Sequence, residues 1–395
     1  MVDDGVNGIS HAERIVVMSE SRAGPERIDL EHADDLRDVV HRAVACLAGG
    51  GIVGLPTEAG YALASSTLQL AALDRLRSIS TAEVGRRVTL LLRSEGEAAD
   101  WAFPLTELGC RFARRAWPGP VALVVPAASR DRGLTSRLPE SAKAILIHGD
   151  KIALRVPSDG FLREVIRLSP GPIATLDFAA RSVDGATWDV SRPDVATLDM
   201  VIDAGRKAGN LGATFVSIDE DRWNLDLAGA VPESEIAAMA GTILLFVCTG
   251  NTCRSPMAEA LCKAMLAKRL GCHVDALVER GYVVISAGVA ASDGTPAASH
   301  AIDAMASRGG SLKRHASRRA TDALIRQADL IFALASEHLE VVLDHVPDVA
   351  EKVRLLHPEG FDILDPIGSD LANYLETARE IEDSLSHVLD ELGLD

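Results

Sequence analysis

Residues 244–261 read LLFVCTGNTCRSPMAEAL and set a thiol at Cys248, a guanidinium at Arg254 and a hydroxyl at Ser255 into one turn between an apolar run and a helical pattern. A loop that leaves a strand's carboxyl end and enters a helix aims several backbone N–H groups and the positive end of the helix dipole at one point, which suits an anion. The same field stabilises a thiolate, and thiols in such settings fall from about 8.5 to roughly 3.5–7.5. Cys248 is therefore expected to act as a nucleophile at neutral pH. Gly250 is expected to let the backbone curl closely. Arg254 can offer its planar fork to two oxygens of a phosphoryl group in transfer, a geometry lysine does not match. Ser255 can donate to the sulfur, keeping it ionised and easing its later departure. No lysine stands at the Walker position, so a nucleotide-cradling glycine loop is the poorer match.

A lone cysteine after an apolar strand is most often a small packing residue. The company of the next residues reverses that reading for Cys248, whereas Cys262 and Cys272 have no such company and read as core. The basic run Lys313 to Arg319 reads as a solvated face.

The elements that must position these groups follow from periodicity. From residue 242 onward strand and helix alternate: ILLFVC, a helix, YVVISAGV, a helix, ADLIFAL, KVRLLH and a terminal helix. Such alternation implies a parallel sheet flanked by helices. The first half is mixed α/β. ADDLRDVVHRAVACLAGG and TLQLAALDRLRSI are helical in period, GIVGLPTEAGYAL reads as a strand broken by Pro56, and RVTLLL, VALVVPA, KIALRVP, PIATLDF and ATFVSID read as short strands. DLAGAVPESEIAAMAGT reads as a short tail or linker. All four tryptophans precede it.

The chain has 395 residues, 47% of them hydrophobic, enough for two domains with separate cores. A net charge of -17 argues against gripping nucleic acid through bulk phosphate attraction. No apolar run reaches membrane-spanning length and no signal peptide is legible, so a soluble, cytoplasmic protein without a membrane partner is expected. Six cysteines in so long a chain do not form a disulfide framework, and no metal-ligand spacing is present.

The stretch CTGNTCRSP resembles the signature of the low-molecular-weight protein tyrosine phosphatase family, and the likeness extends over about Thr242 to Leu394 through SAGV, KRHASRRATDALIRQADLIFAL and ILDPIGSD. The resemblance implies phosphorylated protein substrates, no cofactor, and a phosphate loop of Cys248, Thr249, Gly250, Asn251, Thr252, Cys253, Arg254 and Ser255. It implies that Asp365 is the general acid and later the base, that Asn251 orients the loop and Ser255, and that Cys253 can form a reversible disulfide with the nucleophile. Breaking a cysteinyl-phosphate does need a carboxyl that switches between acid and base. Thr252 stands where tyrosine-specific members usually carry an aliphatic residue, and Ile367-Gly368 follows the Asp-Pro pair where they generally place tyrosine. Both departures resemble the bacterial protein-arginine phosphatase branch, so phosphoarginine is the expected substrate and phosphotyrosine the alternative.

Residues from about Ile28 to Glu233 resemble the YrdC-like family, which includes threonylcarbamoyl-adenylate synthases of tRNA modification. GIVGLPTEAGYAL, WPGPVALVVPA, ALRVP and VIDAGRKAGNLGATFVSID carry the likeness, and Thr57, Tyr61 and Arg155 fall on pocket positions. A Lys-x-Arg pair is missing from RSISTAEVG, Ala122 and Ala213 replace hydroxyl residues, and LDFAA replaces a Ser-Ala-Asn segment. Methyl groups cannot supply the lost charges and donors. The expected plan is a tail at 1–27, a YrdC-like mixed α/β domain at 28–233, a linker at 234–241 and a phosphatase domain at 242–395. The first domain is expected to be an inactive module that binds a nucleotide such as ATP, RNA or a partner; the alternative is a bifunctional chain in which Arg86 or Arg87 substitutes for the missing pair beside Thr57 and Tyr61.

Overall fold

The computed structural model describes residues 24–81, 87–102, 105–128, 133–178, 197–205, 211–306, 308 and 310–393. Two sheets organise them. The second contains four strands, all parallel, in the order Tyr282–Gly288, Thr242–Cys248, Leu330–Ala333, Val353–Leu355. The chain starts this sheet in an inner position and then builds outward on both sides, so the carboxyl end of Thr242–Cys248 is the topological switch point where open α/β sheets bind ligands. The strand is buried on both faces, as its unbroken apolar run requires. On one side Leu244 and Phe246 pack with the helices Arg254–Arg269 and Leu371–Glu391; on the other Ile243, Leu245 and Val247 pack with Ile325, Val342 and Val346.

The first half forms an eleven-stranded sheet with parallel and antiparallel pairs, the mixed α/β pattern expected. Its first helix, Leu36–Ala48, begins where the Asp35 side chain accepts from Arg37 N and stops at Gly49. One expectation is corrected. Pro56 does not break the strand: Val53–Thr57 and Gly60–Ser66 form a hairpin with Pro56 paired to Tyr61, and the break is the turn at Glu58–Ala59. The segment assigned to a linker is also structured. Glu233–Ala240 is a helix whose Ile236 is fully buried in the first core, and it follows Arg222–Leu227, a strand at one edge of the sheet.

Three arginines of the helix Glu107–Ala116 tie the halves together. Arg111, Arg114 and Arg115 all reach Asp329, at the entrance to the strand Leu330–Ala333. Arg115 is buried and also donates to the carbonyls of Met239 and Gln327, at 2.7 and 2.9 Å. Asp329 in turn accepts from Ile243 N at 2.8 Å. Burial and the neighbouring arginines push Arg115 down to about 10, against the pull of Asp329, so it is still charged at neutral pH.

Candidate active site

The apolar strand ends at Cys248, and a sixteen-residue helix begins at Arg254. The loop between them wraps the thiol. Ser255 Oγ lies 2.9 Å from Cys248 Sγ and the Asn251 amide donates to it from 3.2 Å. The sulfur is almost wholly buried. Burial is the largest influence on it and pushes the thiol up; the Ser255 hydroxyl, the amides of Ser255 and Asn251, and Arg254 pull it down. The net direction is upward: the donors are as foreseen, and set against them is the depth of the strand end, which desolvates the charge and was not legible in the motif.

The tight curl of the loop is not centred on Gly250. A side-chain carbon there would meet only Thr252 Oγ1 at 3.7 Å, and the positive φ, 55°, belongs to Asn251. Asparagine tolerates this left-handed conformation better than most residues, and its side chain is fully used. Asn251 Nδ2 donates to Ser255 Oγ and Ser286 Oγ, both at 2.9 Å, and Oδ1 accepts from Arg318 N at 2.9 Å. His315 Nε2 donates to the Asn251 carbonyl at 2.8 Å. The glycine that the close approach requires is Gly288, on the neighbouring strand, where a side-chain carbon would stand 2.5 Å from Thr249 O and 2.9 Å from Asn251 N.

Arg254 is buried, with Nη1 donating to Ile363 O at 3.1 Å and Nη2 to Asp365 Oδ2 at 2.5 Å. Asp365, 111 residues further along the chain, is thus brought to the loop, with its side chain 36% exposed. Leu364 and Ile367 flank it and are exposed, as is Phe361. Thr252 is half-buried; its hydroxyl is 3.7 Å from Cys253 Sγ, and its carbonyl accepts from Ala298 N. Cys253 is a free thiol, 3.3 Å from Tyr374 Oη.

Two residues were missed in the sequence. His338 is buried with Nε2 2.8 Å from Thr249 Oγ1, and burial followed by the charge of Arg254 holds it below the ordinary histidine value. Tyr374, on the terminal helix, closes the back of Cys253. Neither carries a local signal, because each meets the loop from about 90 to 120 residues away.

In the first half Thr57, Tyr61 and Arg155 are all buried and lie around one sheet region, but each is engaged internally. Arg155 pairs with Glu58 at 2.7 Å and Asp177 at 3.6 Å, Tyr61 Oη donates to Asp203 at 2.9 Å, and Thr57 Oγ1 accepts from Ala59 N. Burial pushes Glu58 up, yet Arg155 overrides it and holds the carboxyl below its usual range. Ala122 and Ala213 belong to a buried apolar cluster with Val124, Ala153 and Phe215. Arg87 pairs with Asp226 on the edge strand Arg222–Leu227; Arg86, Ala179 and Ala180 lie outside the described residues. Among the described residues no cluster suits a metal ion, and no helix is long and apolar enough to cross a membrane.

Residues 243–395 match the family model for low molecular weight phosphotyrosine protein phosphatase, and residues 45–225 match the Sua5/YciO/YrdC model described as telomere recombination. The chain is 36% identical to a protein-arginine-phosphatase of Bacillus subtilis over 156 residues, 38% of this chain and 97% of that protein. It is 37% identical to the low molecular weight protein-tyrosine-phosphatase Etp of Escherichia coli K12 over 147 residues, 37% of this chain and 83% of that protein. The first half is 24% identical to a threonylcarbamoyl-AMP synthase of Pyrococcus abyssi over 204 residues, 51% of this chain and 57% of that protein. Through its second half, the chain belongs to the low molecular weight phosphotyrosine protein phosphatase family.

Proposed function

We propose that residues 242–395 remove phosphoryl groups from protein phosphoarginine through a cysteinyl-phosphate. Cys248 attacks phosphorus as the thiolate, the P–N bond breaks, and the Asp365 carboxyl gives its proton to the leaving nitrogen. The Asp365 carboxylate then takes a proton from the water that attacks phosphorus, and the S–P bond breaks to return the thiolate. Loop amides and Arg254 hold the remaining phosphoryl oxygens. Arg254 and Asp365 must part for this, the first to the phosphoryl group and the second to the leaving atom. The observation that carries the reading is the meeting of Cys248, Ser255, Arg254 and Asp365 around one loop. No cofactor enters these steps. Six free cysteines favour a reducing, cytoplasmic setting.

Thr252 supports the arginine assignment. Among the described residues its hydroxyl makes a long contact to the Cys253 sulfur, which leaves it for a polar, donor-rich leaving group. The exposed apolar Leu364 and Ile367 beside Asp365 favour the second reading, phosphotyrosine, since they would suit an aryl ring. The deciding experiment compares kcat/KM for matched phosphoarginine and phosphotyrosine peptides in the wild type and in Thr252→Ile. A matched polar contact discriminates by several powers of ten, whereas apolar fit gives about 10–200-fold. The wild type is expected to prefer phosphoarginine, and the substitution to move the ratio toward phosphotyrosine; an unmoved ratio defeats the assignment.

For the first half we propose a binding module that makes no threonylcarbamoyl-adenylate. Support comes from Arg155, already neutralised by Glu58 and Asp177, and from the methyl groups of Ala122 and Ala213 packed in apolar surroundings. Adenine nucleotide or RNA is its proposed ligand.

A further inference from the structure

The basic run Lys313 to Arg319 sits at the carboxyl edge of the second sheet, beside the phosphate loop. Arg319 bridges in parallel to Gly288, which is paired with Cys248 across the two strands. Main-chain groups of the run hold it there. Arg318 N donates to Asn251 Oδ1 at 2.9 Å and Ser317 N to Thr295 O at 2.8 Å, while Arg318 O accepts from Gly288 N at 2.9 Å and Ser317 O from Gly294 N at 2.8 Å. His315 Nε2 adds its bond to the Asn251 carbonyl. The cationic side chains take no part in this. Lys313, Arg314, Arg318 and Arg319 are exposed, and among the described residues none of them pairs with a carboxylate, whereas Arg269, Arg308, Arg326 and Arg354 of the same half all do. Asp293 reaches the run, but it accepts from the amide of Arg319 and not from its guanidinium. The chain has 57 acidic residues against 40 basic ones, so carboxylates are not scarce. Like charges gathered on a fixed backbone repel one another, and no ion pair among the described residues offsets that here.

We propose that this shelf docks acidic residues flanking the phosphorylated side chain of a protein substrate. The proposal rests on the reading of the Cys248 loop as a phosphatase site, and it adds to that reading a preference for the sequence around the phosphoryl group. A side chain whose phosphoryl group enters the loop leaves its neighbours in the polypeptide along the same edge of the sheet, where the run lies one strand away from Cys248. The four cations give up no internal ion pair when a carboxylate arrives. Their main chain is already held, so little of it remains to be ordered on binding. An acidic polypeptide fits the shelf better than a nucleic acid does. The run holds no Phe, Tyr or Trp on which bases could stack, and a net charge of -17 opposes a long polyanion.

The test compares kcat/KM of the full chain on matched phosphopeptides that carry glutamates or glutamines around the phosphorylated residue, in a phosphoarginine pair and a phosphotyrosine pair. The wild type should favour the glutamate peptide of whichever pair it turns over, by about tenfold at low salt, the scale of three exposed ion pairs at roughly two- to threefold each. The gain should lie in KM, since the flanks bind equally well in the ground and transition states. Raising the ionic strength from about 0.01 to about 1 M shortens the screening length from roughly 30 to roughly 3 Å and should erase the preference. The triple variant Lys313→Gln, Arg314→Gln, Arg319→Gln should lose it; Arg318 is left in place because its amide holds Asn251. The double variant Lys268→Gln, Arg280→Gln removes exposed cations at the opposite ends of the helix Arg254–Arg269 and the strand Tyr282–Gly288 and should keep it. No preference in the wild type, a preference that survives in the triple variant, or one lost equally in the double variant overturns the proposal while turnover itself stands. A single-stranded oligoribonucleotide that binds more tightly than the glutamate peptide, and no longer binds the triple variant, overturns it too and gives the shelf to nucleic acid. No turnover of either pair or of an aryl phosphate defeats the phosphatase reading and the proposal with it.

Discussion

Arg254 Nη2 and Asp365 Oδ2 are joined at 2.5 Å, with the arginine buried and the carboxyl at the surface of the loop that carries it. On the proposed mechanism the pair keeps two groups of opposite duty together: a cation suited to phosphoryl oxygens and a carboxyl suited to the leaving atom. An arriving phosphoryl dianion competes with Asp365 for the same guanidinium. The exchange would release the carboxyl at the moment a leaving group needs a proton.

Cys248→Ser is expected to lower turnover by at least about a hundredfold, a typical scale for one essential catalytic group, while the chain keeps its fold and binds inorganic phosphate. Asp365→Ala should suppress turnover of substrates with poor leaving groups far more than of those whose leaving group needs no proton. Steady-state kinetics on an aryl phosphate series checks both. Equal losses across the series would remove Asp365 from the acid role.

Gly288 predicts a steric effect from outside the motif. In Gly288→Ala the new carbon would stand 2.5 Å from the backbone oxygen of Thr249, so the loop must shift by several tenths of an ångström. Misplacement of reacting groups by 1 Å costs about a hundredfold, and a loss of about tenfold or more in kcat/KM is expected, with weaker phosphate binding. Unchanged kinetics would mean that the loop accommodates the carbon elsewhere.

Local pattern made much of this molecule legible. The four parallel strands of the second half each fall in a segment read as a strand, most clearly Thr242–Cys248, whose unbroken apolar run suits burial on both faces, and the loop from Cys248 to Ser255 is contiguous, so its donors were visible together. What stayed hidden depends on depth and on distance along the chain. The upward push on Cys248 comes from the layers over the strand end, not from its neighbours in sequence. His338 on Thr249, Tyr374 on Cys253 and the arginines of Glu107–Ala116 on Asp329 each join segments far apart. Glu233–Ala240 was obscured by its weak periodicity; only Ile236 of that helix is buried.

The first half should make no threonylcarbamoyl-adenylate from threonine, bicarbonate and ATP when the full chain is assayed by product chromatography. Arg155 is spent on Glu58 and Asp177, and Ala122 and Ala213 offer no donors. Product above a no-enzyme control, or rescue of a strain lacking its own synthase, would establish the bifunctional alternative. Weak adenine-nucleotide binding would fit the module reading.

Lys352 predicts a pH dependence of stability whose sign can be worked out. Its ammonium donates to the carbonyls of Arg326 and Ala328 at 2.7 and 2.6 Å, close to the Asp329 cluster. Burial, joined by the charges of Arg114 and Arg115, pushes it down from 10.5 to about 8. Between pH 8 and 10.5 the unfolded chain therefore binds more protons at this residue than the folded one does, and stability contributed by this residue rises with pH across that window. Below pH 8 both states are charged and the penalty of holding the charge is fully present. Lys352→Met abolishes the titration and, independently of pH, the two hydrogen bonds. Thermal unfolding of both proteins from pH 7.5 to 10 should show the wild type gaining Tm relative to Lys352→Met as pH rises past 8. A difference that stays constant over that range would mean that Lys352 keeps its ordinary affinity for the proton in the folded state.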